Sequence, residues 1–216
     1  MRGRGRRLLV AAGVCVCATW AHAAPQRPDF GAERASDDAR YAASRVLEAA
    51  DNDGRPFVIV DKNDARVYVF APSGHLLGAS AALLGLAPGD RSVRDSAEPN
   101  LGSLTPSERT TPAGRFDSEP GHNDKGEAIV WIDYAAALAI HRLRPAPALE
   151  RRPQRMSSPN PAEHRISFGC IVVPVEFYEQ VVDPTLGSRR GVVYVLPEAS
   201  PVQAMFGTLE ARLDID

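Results

Sequence analysis

From Phe57 onward the chain is written as short β-branched and aromatic runs separated by turn residues, and this spacing constrains the fold more than any other feature. Phe57-Val58-Ile59-Val60 is an unbroken apolar run of the kind a buried strand carries, Lys62-Asn63-Asp64 is a turn, and Arg66-Val67-Tyr68-Val69-Phe70 is a second run. Pro72-Ser73-Gly74 then turns the chain into a third, His75 to Ser80. Three short strands joined by tight turns make an antiparallel meander. Strand character returns in Gly114 to Phe116, Ala128 to Tyr134, Leu138 to Leu143 and Gly191 to Leu196. The 18 prolines and 17 glycines argue for a loop-rich domain over a helical bundle or repeat array, and no internal repeat is present. Two helices complete the expectation. Ser36 can cap one from Asp37 to Ala50, with acidic residues in its first turn, Gly54 past its end and a mostly alanine apolar side. Pro174 can open the other, with Val175, Tyr178, Val181 and Val182 at helical spacing.

Two irregular stretches interrupt this pattern. Residues 85–109 are polar and rich in Pro, Gly and Asp, too long for an idle connection in a compact domain, and are either a substrate lid or a mobile insertion. Residues 144–165 are basic and proline-rich. Gly85-Leu86-Ala87-Pro88-Gly89 reads as a loop; no phosphate-binding glycine loop, dinucleotide fingerprint or metal-ligand cluster is found, so no cofactor or metal is expected.

The first 23 residues read as a cleaved export signal. Arg2, Arg4, Arg6 and Arg7 form a basic head, Leu8 to Trp20 is apolar apart from Thr19, and Ala21-His22-Ala23 precedes Ala24 as a small-x-small cleavage site. The apolar stretch is shorter than the roughly 20 residues a bilayer span needs, and no later segment approaches that length. Val14 and Val16 stand before Cys15 and Cys17 where a lipidated cysteine would follow a small residue. Removing the signal removes four of the 25 basic residues and leaves 21 against 27 acidic ones, a net charge of about −6, which speaks against a nucleic-acid partner. The expected location is the periplasm or cell envelope.

Cleavage leaves Cys170 as the sole cysteine, and an unpaired thiol in an oxidising compartment needs a reason. It lies in Arg165-Ile166-Ser167-Phe168-Gly169-Cys170-Ile171. A thiol attacks carbonyls as the thiolate, so a nucleophilic Cys170 needs a base or an electropositive site. His141, at the end of a strand run, is the best candidate base; as a structural histidine it would instead be satisfied by the fold. His75 follows a turn glycine, His122 lies in a polar loop, and His164 is assigned to the surface of the basic loop. Gly169 permits unusual backbone angles, and the amides of Gly169 and Cys170 could face a developing oxyanion. The alternative is that Cys170 is a small core residue in a buried strand.

Thr111-Pro112-Ala113-Gly114-Arg115-Phe116, then Ile140-His141, then Ser167-Phe168-Gly169-Cys170-Ile171 follow the same order as the motifs of the L,D-transpeptidase catalytic domain (YkuD type), which residues 55–198 resemble. The resemblance implies a mainly β fold, an L,D-transpeptidase-like β-sandwich with one or two short helices and an N-terminal helix. It divides the chain into a signal (1–23), a leader and helix (24–54), a catalytic domain (55–198) and a C-terminal tail (199–216). It also implies Cys170 as nucleophile, His141 as general base and then acid, the amides of Gly169 and Cys170 as oxyanion donors, and Ser167 as a residue that shapes the site. Peptidoglycan stem peptides would be the substrate, with an amine of a neighbouring stem or of a wall protein as acceptor. Three departures stand out. Phe168 replaces a histidine, Val172 stands where the family has arginine, and 29 positions separate His141 from Cys170, so an insertion must loop out between them. Arg142, Arg155 and Arg165 are candidates to replace the lost charge. A cell-wall peptide hydrolase using the same thiol, or a non-catalytic wall-binding protein of the same fold, are the rival readings.

Overall fold

The computed structural model describes residues 27–91 and 101–213, so the proposed export signal, with Cys15 and Cys17, lies outside the described residues. Ten strands follow in order: β1 (Phe57–Asp61), β2 (Arg66–Phe70), β3 (Leu76–Ala81), β4 (Leu84–Gly85), β5 (Gly114–His122), β6 (Ala128–Asp133), β7 (Leu138–Arg142), β8 (Arg165–Ser167), β9 (Ile171–Val173) and β10 (Gly191–Val195). The α-helical segments are α1 (Asp37–Glu48), α2 (Arg152–Met156), α3 (Val175–Phe177), α4 (Asp183–Leu186) and α5 (Val202–Leu213). The domain is mainly β.

Eight strands form one mixed sheet in the order β3-β2-β1-β10-β5-β6-β7-β9, in which β1 pairs with β10 and β7 with β9 in parallel. The meander expected for β1 to β3 is its antiparallel start. Just beyond β3, Leu83 exchanges backbone hydrogen bonds with Val172 of β9, at 2.8 and 2.9 Å. This joins the two ends of the sheet, so the expected sandwich takes the form of a single sheet folded nearly into a barrel. β4 and β8 pair in parallel beside the join.

Alternation along the strands separates two cores. Val58, Val60, Val67, Val69, Val193 and Val195 point inward to meet Val130, Ile132, Leu138, Ile140, Ile171 and Val173. Phe57, Ile59, Tyr68, Phe70, Val192 and Tyr194 point outward, against α1 and α5. Both faces of β1 are therefore covered, which is why its sequence is apolar without a break. Ser36 caps α1 by accepting from Ala39 N–H, and Ala39, Ala42, Ala43 and Val46 lie flat on the outer face. The C-terminal tail expected after residue 198 instead carries α5, whose Val202 and Phe206 are buried in the same outer core.

The helical segment after Pro174 closes one end of the inner core with Tyr178, Val182 and Leu186. It passes through a π turn at Tyr178–Val182, where Asp183 N–H bonds the Tyr178 carbonyl in an i→i−5 pattern. Pro184 follows at once and has no N–H to continue an i→i−4 ladder, so the wider turn falls where the regular one is interrupted.

Candidate active site

The parallel pairing of β7 and β9 sets the site. Its register matches Ile140 with Ile171 and His141 with Val172. Ile140, Ile171 and Val173 point into the inner core, so alternation turns His141 and Val172 to the opposite face, while Cys170 lies in the turn that enters β9, one residue before Ile171. His141 on β7 and the turn that leads Cys170 into β9, 29 positions apart, thereby belong to neighbouring segments. The stretch between them loops out as expected, through α2 and short 3₁₀ turns at Ala148–Glu150 and Pro161–His164.

The turn that presents Cys170 is held from within. Ser167 Oγ accepts from Gly169 N–H at 3.0 Å and donates to the Cys170 carbonyl at 2.7 Å, closing the turn around the cysteine. Gly169 has φ +125°, a conformation that a side chain would strain. The Gly169 amide, expected to face an oxyanion, is donated to Ser167 Oγ in this structure.

Thr111 fastens the same turn to the body of the domain. Its hydroxyl donates to the Gly169 carbonyl at 2.9 Å and accepts from Gly85 N–H at 2.9 Å. A β-carbon on Gly85 would stand 2.5 Å from the Arg109 carbonyl oxygen and 2.6 Å from Thr111 N, so only glycine lets these backbones come together. Beneath Thr111 lies the fully buried Lys62, whose Nζ donates to the carbonyls of Gly89 (2.6 Å) and Thr111 (3.0 Å) and pairs with Asp90 (2.9 Å) and Glu198 (3.3 Å).

His141 is 6% exposed, and its Nδ1 lies 2.8 Å from the Arg142 carbonyl. A carbonyl can only accept, so Nδ1 carries the proton in the neutral ring and Nε2 keeps its lone pair. Burial, and after it the charge of Arg144, push the imidazole down from 6.5 to about 4; the Arg142 carbonyl and Glu127 oppose this, and Arg152 adds to it. The Cys170 thiol donates to the Ala137 carbonyl at 3.6 Å, in the turn between β6 and β7.

The other histidines separate clearly. His75 pairs with Asp29 at the surface, and His122 is exposed. His164, expected on the surface, is 3% exposed, with Nδ1 and Nε2 each 3.0 Å from a carbonyl, those of Ala82 and Ser158. It pins the inserted loop to the start of β4, because a polar ring enters the interior only with its hydrogen bonds made.

Each of the three arginines considered as a replacement for the arginine absent at Val172 has partners within the fold. Arg142 pairs with Glu127 (2.9 Å) and Glu179 (3.1 Å), Arg155 holds the carbonyls of Glu150 and Glu163, and Arg165 pairs with Glu198. Val172 is 1% exposed, between His141 on one side and Leu83 on the other. Three arginines that the sequence did not single out also bear on the candidate residues. Arg144 and Arg152 act on His141, and the Arg109 guanidinium lies 4.2 Å from the centroid of Phe168. Phe168 thus serves as a face for a cation, where a histidine would offer a hydrogen bond. Only a pairing of Phe168 with an arginine upstream could have suggested this, and spacing alone does not show it.

Among the described residues, no group of three or more His, Cys, Asp or Glu side chains is placed to hold a metal ion, and no helix is long and apolar enough to cross a membrane.

No family model matches the chain, and no curated protein matches it by sequence. Among solved structures it is similar to the helical cell shape determining protein Pgp2 (K307A mutant) from Campylobacter jejuni, at 14% identity over 74% of this chain and 54% of that one, with a TM-score of 0.42. It is also similar to an L,D-transpeptidase from Mycobacterium smegmatis, at 14% identity over 65% and 58% of the two chains and a TM-score of 0.38. The catalytic domain from the E. faecium L,D-transpeptidase matches at 17% identity over 66% and 98%, with a TM-score of 0.36. The chain spans about half the length of the first of these structures. With identity and superposition this low, the case for function rests on the residues of the site.

Proposed function

We propose that the chain is an exported cysteine acyltransferase of the L,D-transpeptidase type, acting on peptidoglycan stem peptides in the periplasm or cell envelope. The observation that supports the reading is the β7–β9 register, which pairs His141 with Val172, two residues after Cys170, with Nδ1 of the histidine committed to the Arg142 carbonyl. The order of the Thr111, His141 and Cys170 motifs along the chain supports it.

In this mechanism the thiol leaves the Ala137 carbonyl and gives its proton to His141 Nε2 as Sγ bonds to the carbonyl carbon preceding a terminal D-alanine. The Cys170 amide is the donor assigned to the oxyanion, and the tetrahedral adduct collapses by breaking the C–N bond. The departing amine takes the proton from Nε2, leaving a thioester on Cys170. An acceptor amine, from a neighbouring stem or a wall protein, then attacks the thioester, loses a proton to Nε2 and releases the thiol. Ser167 and Thr111 position the turn and take no part in bond making.

Mass spectrometry of tetrapeptide muropeptides incubated with the chain, with and without glycine as added amine, tests this. Replacement of the terminal alanine by glycine, or dimer formation, lost in Cys170→Ala, is the expected result. Loss of alanine without transfer would make the chain a hydrolase, and full turnover in Cys170→Ala would remove the thiol from the mechanism.

A further inference from the structure

Past β7 the chain runs through Arg144, Pro145 and Pro147 and reaches α2 at Arg152 and Pro153, and with Arg151 these residues line a groove of about 300 Å³. No acidic residue lines it. Proline fixes its own φ and has no N–H to offer, so the groove has a stiff floor, and its charged groups are three guanidiniums. Their charge is only partly answered. Arg144 shares Glu127 with Arg142, at 2.6 and 2.9 Å, and Arg152 pairs with Glu150 at 2.5 Å. Arg151, held in the left-handed region at φ 49°, has no acidic partner among the described residues. The groove adjoins the base, because Arg144 and Arg152 are two of the charges felt by the His141 ring.

We propose that this groove is a carboxylate subsite, which takes the free carboxylate of a peptide whose reacting carbonyl lies at Cys170. The inference rests on the reading of Cys170 and His141 as the reacting pair. A planar guanidinium matches a carboxylate with two parallel N–H donors, and such charge-assisted bonds are about twice as strong as neutral ones.

Occupation has a second consequence. The groups that face the His141 ring are Arg144 and Arg152, which oppose its protonation, and Glu127 and the Arg142 carbonyl, which favour it. A carboxylate lying against the two arginines offsets their charge and makes Nε2 a stronger base. The base then gains strength when a substrate is in place.

The test uses N-acetyl-D-alanine and its uncharged counterpart N-acetyl-D-alaninamide, added to the whole chain and followed by NMR at the arginine Nε–H and His141 ring signals. Saturable shifts with the carboxylate and none with the amide are expected, weakening with added salt, together with a rise in the His141 titration midpoint. Arg151→Asn combined with Arg144→Gln removes two charges, and asparagine suits the left-handed backbone at 151; binding should weaken about tenfold or more. Equal responses to the two probes, no response to either, or unchanged binding in the double variant would overturn the proposal. The parent reading fails on a different measurement. If Cys170→Ala keeps turnover, the thiol mechanism is lost whatever the groove binds.

Discussion

Replacing His141 with asparagine turns the burial of the proposed base into a measurable slope. The asparagine Nδ2–H can take the place of Nδ1–H toward the Arg142 carbonyl, so the variant keeps the hydrogen bond and loses the titrating ring. In the folded chain the ring is pushed down from 6.5 to about 4, first by burial and then by Arg144. Unfolded, it returns to its ordinary value near about 6.5. Above that pH the ring is neutral in both states and adds no pH dependence. Between about pH 6.5 and 4 only the unfolded chain takes up the proton, so stability falls as the pH falls. Below about 4 the folded ring protonates as well and the slope ends. The ring is almost wholly buried, so screening does not reduce the effect, which amounts to about 3 kcal/mol at the acid end. Against a total of about 5–15 kcal/mol for a typical domain this is large. Asp90, Asp117 and Glu127 are held below the usual carboxylate range by their donors, despite partial burial, and add acid sensitivity of their own. They do so in both proteins, so the difference between the two chains isolates the ring. Urea unfolding followed by Trp131 fluorescence at a series of pH values should show the variant gaining about 3 kcal/mol on the parent between pH 7 and pH 4. Parallel stability curves for the two proteins would show that the ring is not held neutral by burial.

Four further outcomes follow from the geometry. The acid limb of the kcat/KM profile should lie nearer about 4 than 6.5, because that profile reports the free enzyme's base, and a limb at the ordinary imidazole value in kcat/KM would remove His141 from that role. Lys62→Met leaves the partly buried Asp90 and Glu198 without their ammonium partner and strips the Gly89 and Thr111 carbonyls of a donor, and should cost about 2–3 kcal/mol in chemical denaturation; an effect below about 1 kcal/mol would mean that the cluster adapts freely. Thr111→Val strips two backbone groups, Gly85 N–H and the Gly169 carbonyl, of their shared partner and should lower stability by about 2 kcal/mol and slow turnover, while Thr111→Ser restores both; failure of serine to rescue would point to the methyl group. Gly85→Ala drives a β-carbon into the Arg109–Thr111 backbone and should cost about 1–3 kcal/mol, with a thermal midpoint equal to the parent's counting against that close approach.

The parts of this fold that could be read from the sequence are those with local causes. β1 and β2 announce themselves by β-branched runs and turn residues, and α1 by its serine cap and alanine face. β4, β8 and β9 are two or three residues long, too short to show a period, and exist because other segments pair with them. The parallel alignment of β7 with β9, on which the site depends, is likewise invisible along the chain. Cys170 and His141 could be picked out by chemistry and order, whereas Arg109, Arg144 and Arg152 could not, since an arginine in a basic loop shows its purpose only when the loop has folded against something. His164 was misplaced for the same reason: a histidine beside prolines and polar residues reads as exposed, yet the interior supplies two carbonyls for its ring. The Gly169 motif shows the glycine's freedom but not that its N–H meets Ser167 Oγ.

The arrangement around His141 also bears on how the Cys170 thiol is kept from oxidation. A strongly basic imidazole beside Cys170 would favour a standing thiolate–imidazolium pair, and thiolates are the form that oxidises. Burial and two arginines weigh against the imidazolium, while the thiol proton rests on the Ala137 carbonyl. The His141 ring is therefore biased toward its neutral form. A weak base is a poor catalyst of thiol attack, so the same bias would slow the reaction unless substrate binding relieved it. A carboxylate in the arginine groove does so by offsetting the charges that oppose protonation at His141, and an uncharged ligand cannot. Protection and activation then come from one set of residues. Arg144→Gln separates this coupling from simple anchoring: it should make the free thiol easier to oxidise with hydrogen peroxide and shrink the kcat advantage of carboxylate over amide substrates. If the variant raises KM for the carboxylate substrate while leaving both the oxidation rate and kcat unchanged, the groove anchors its ligand without influencing the base.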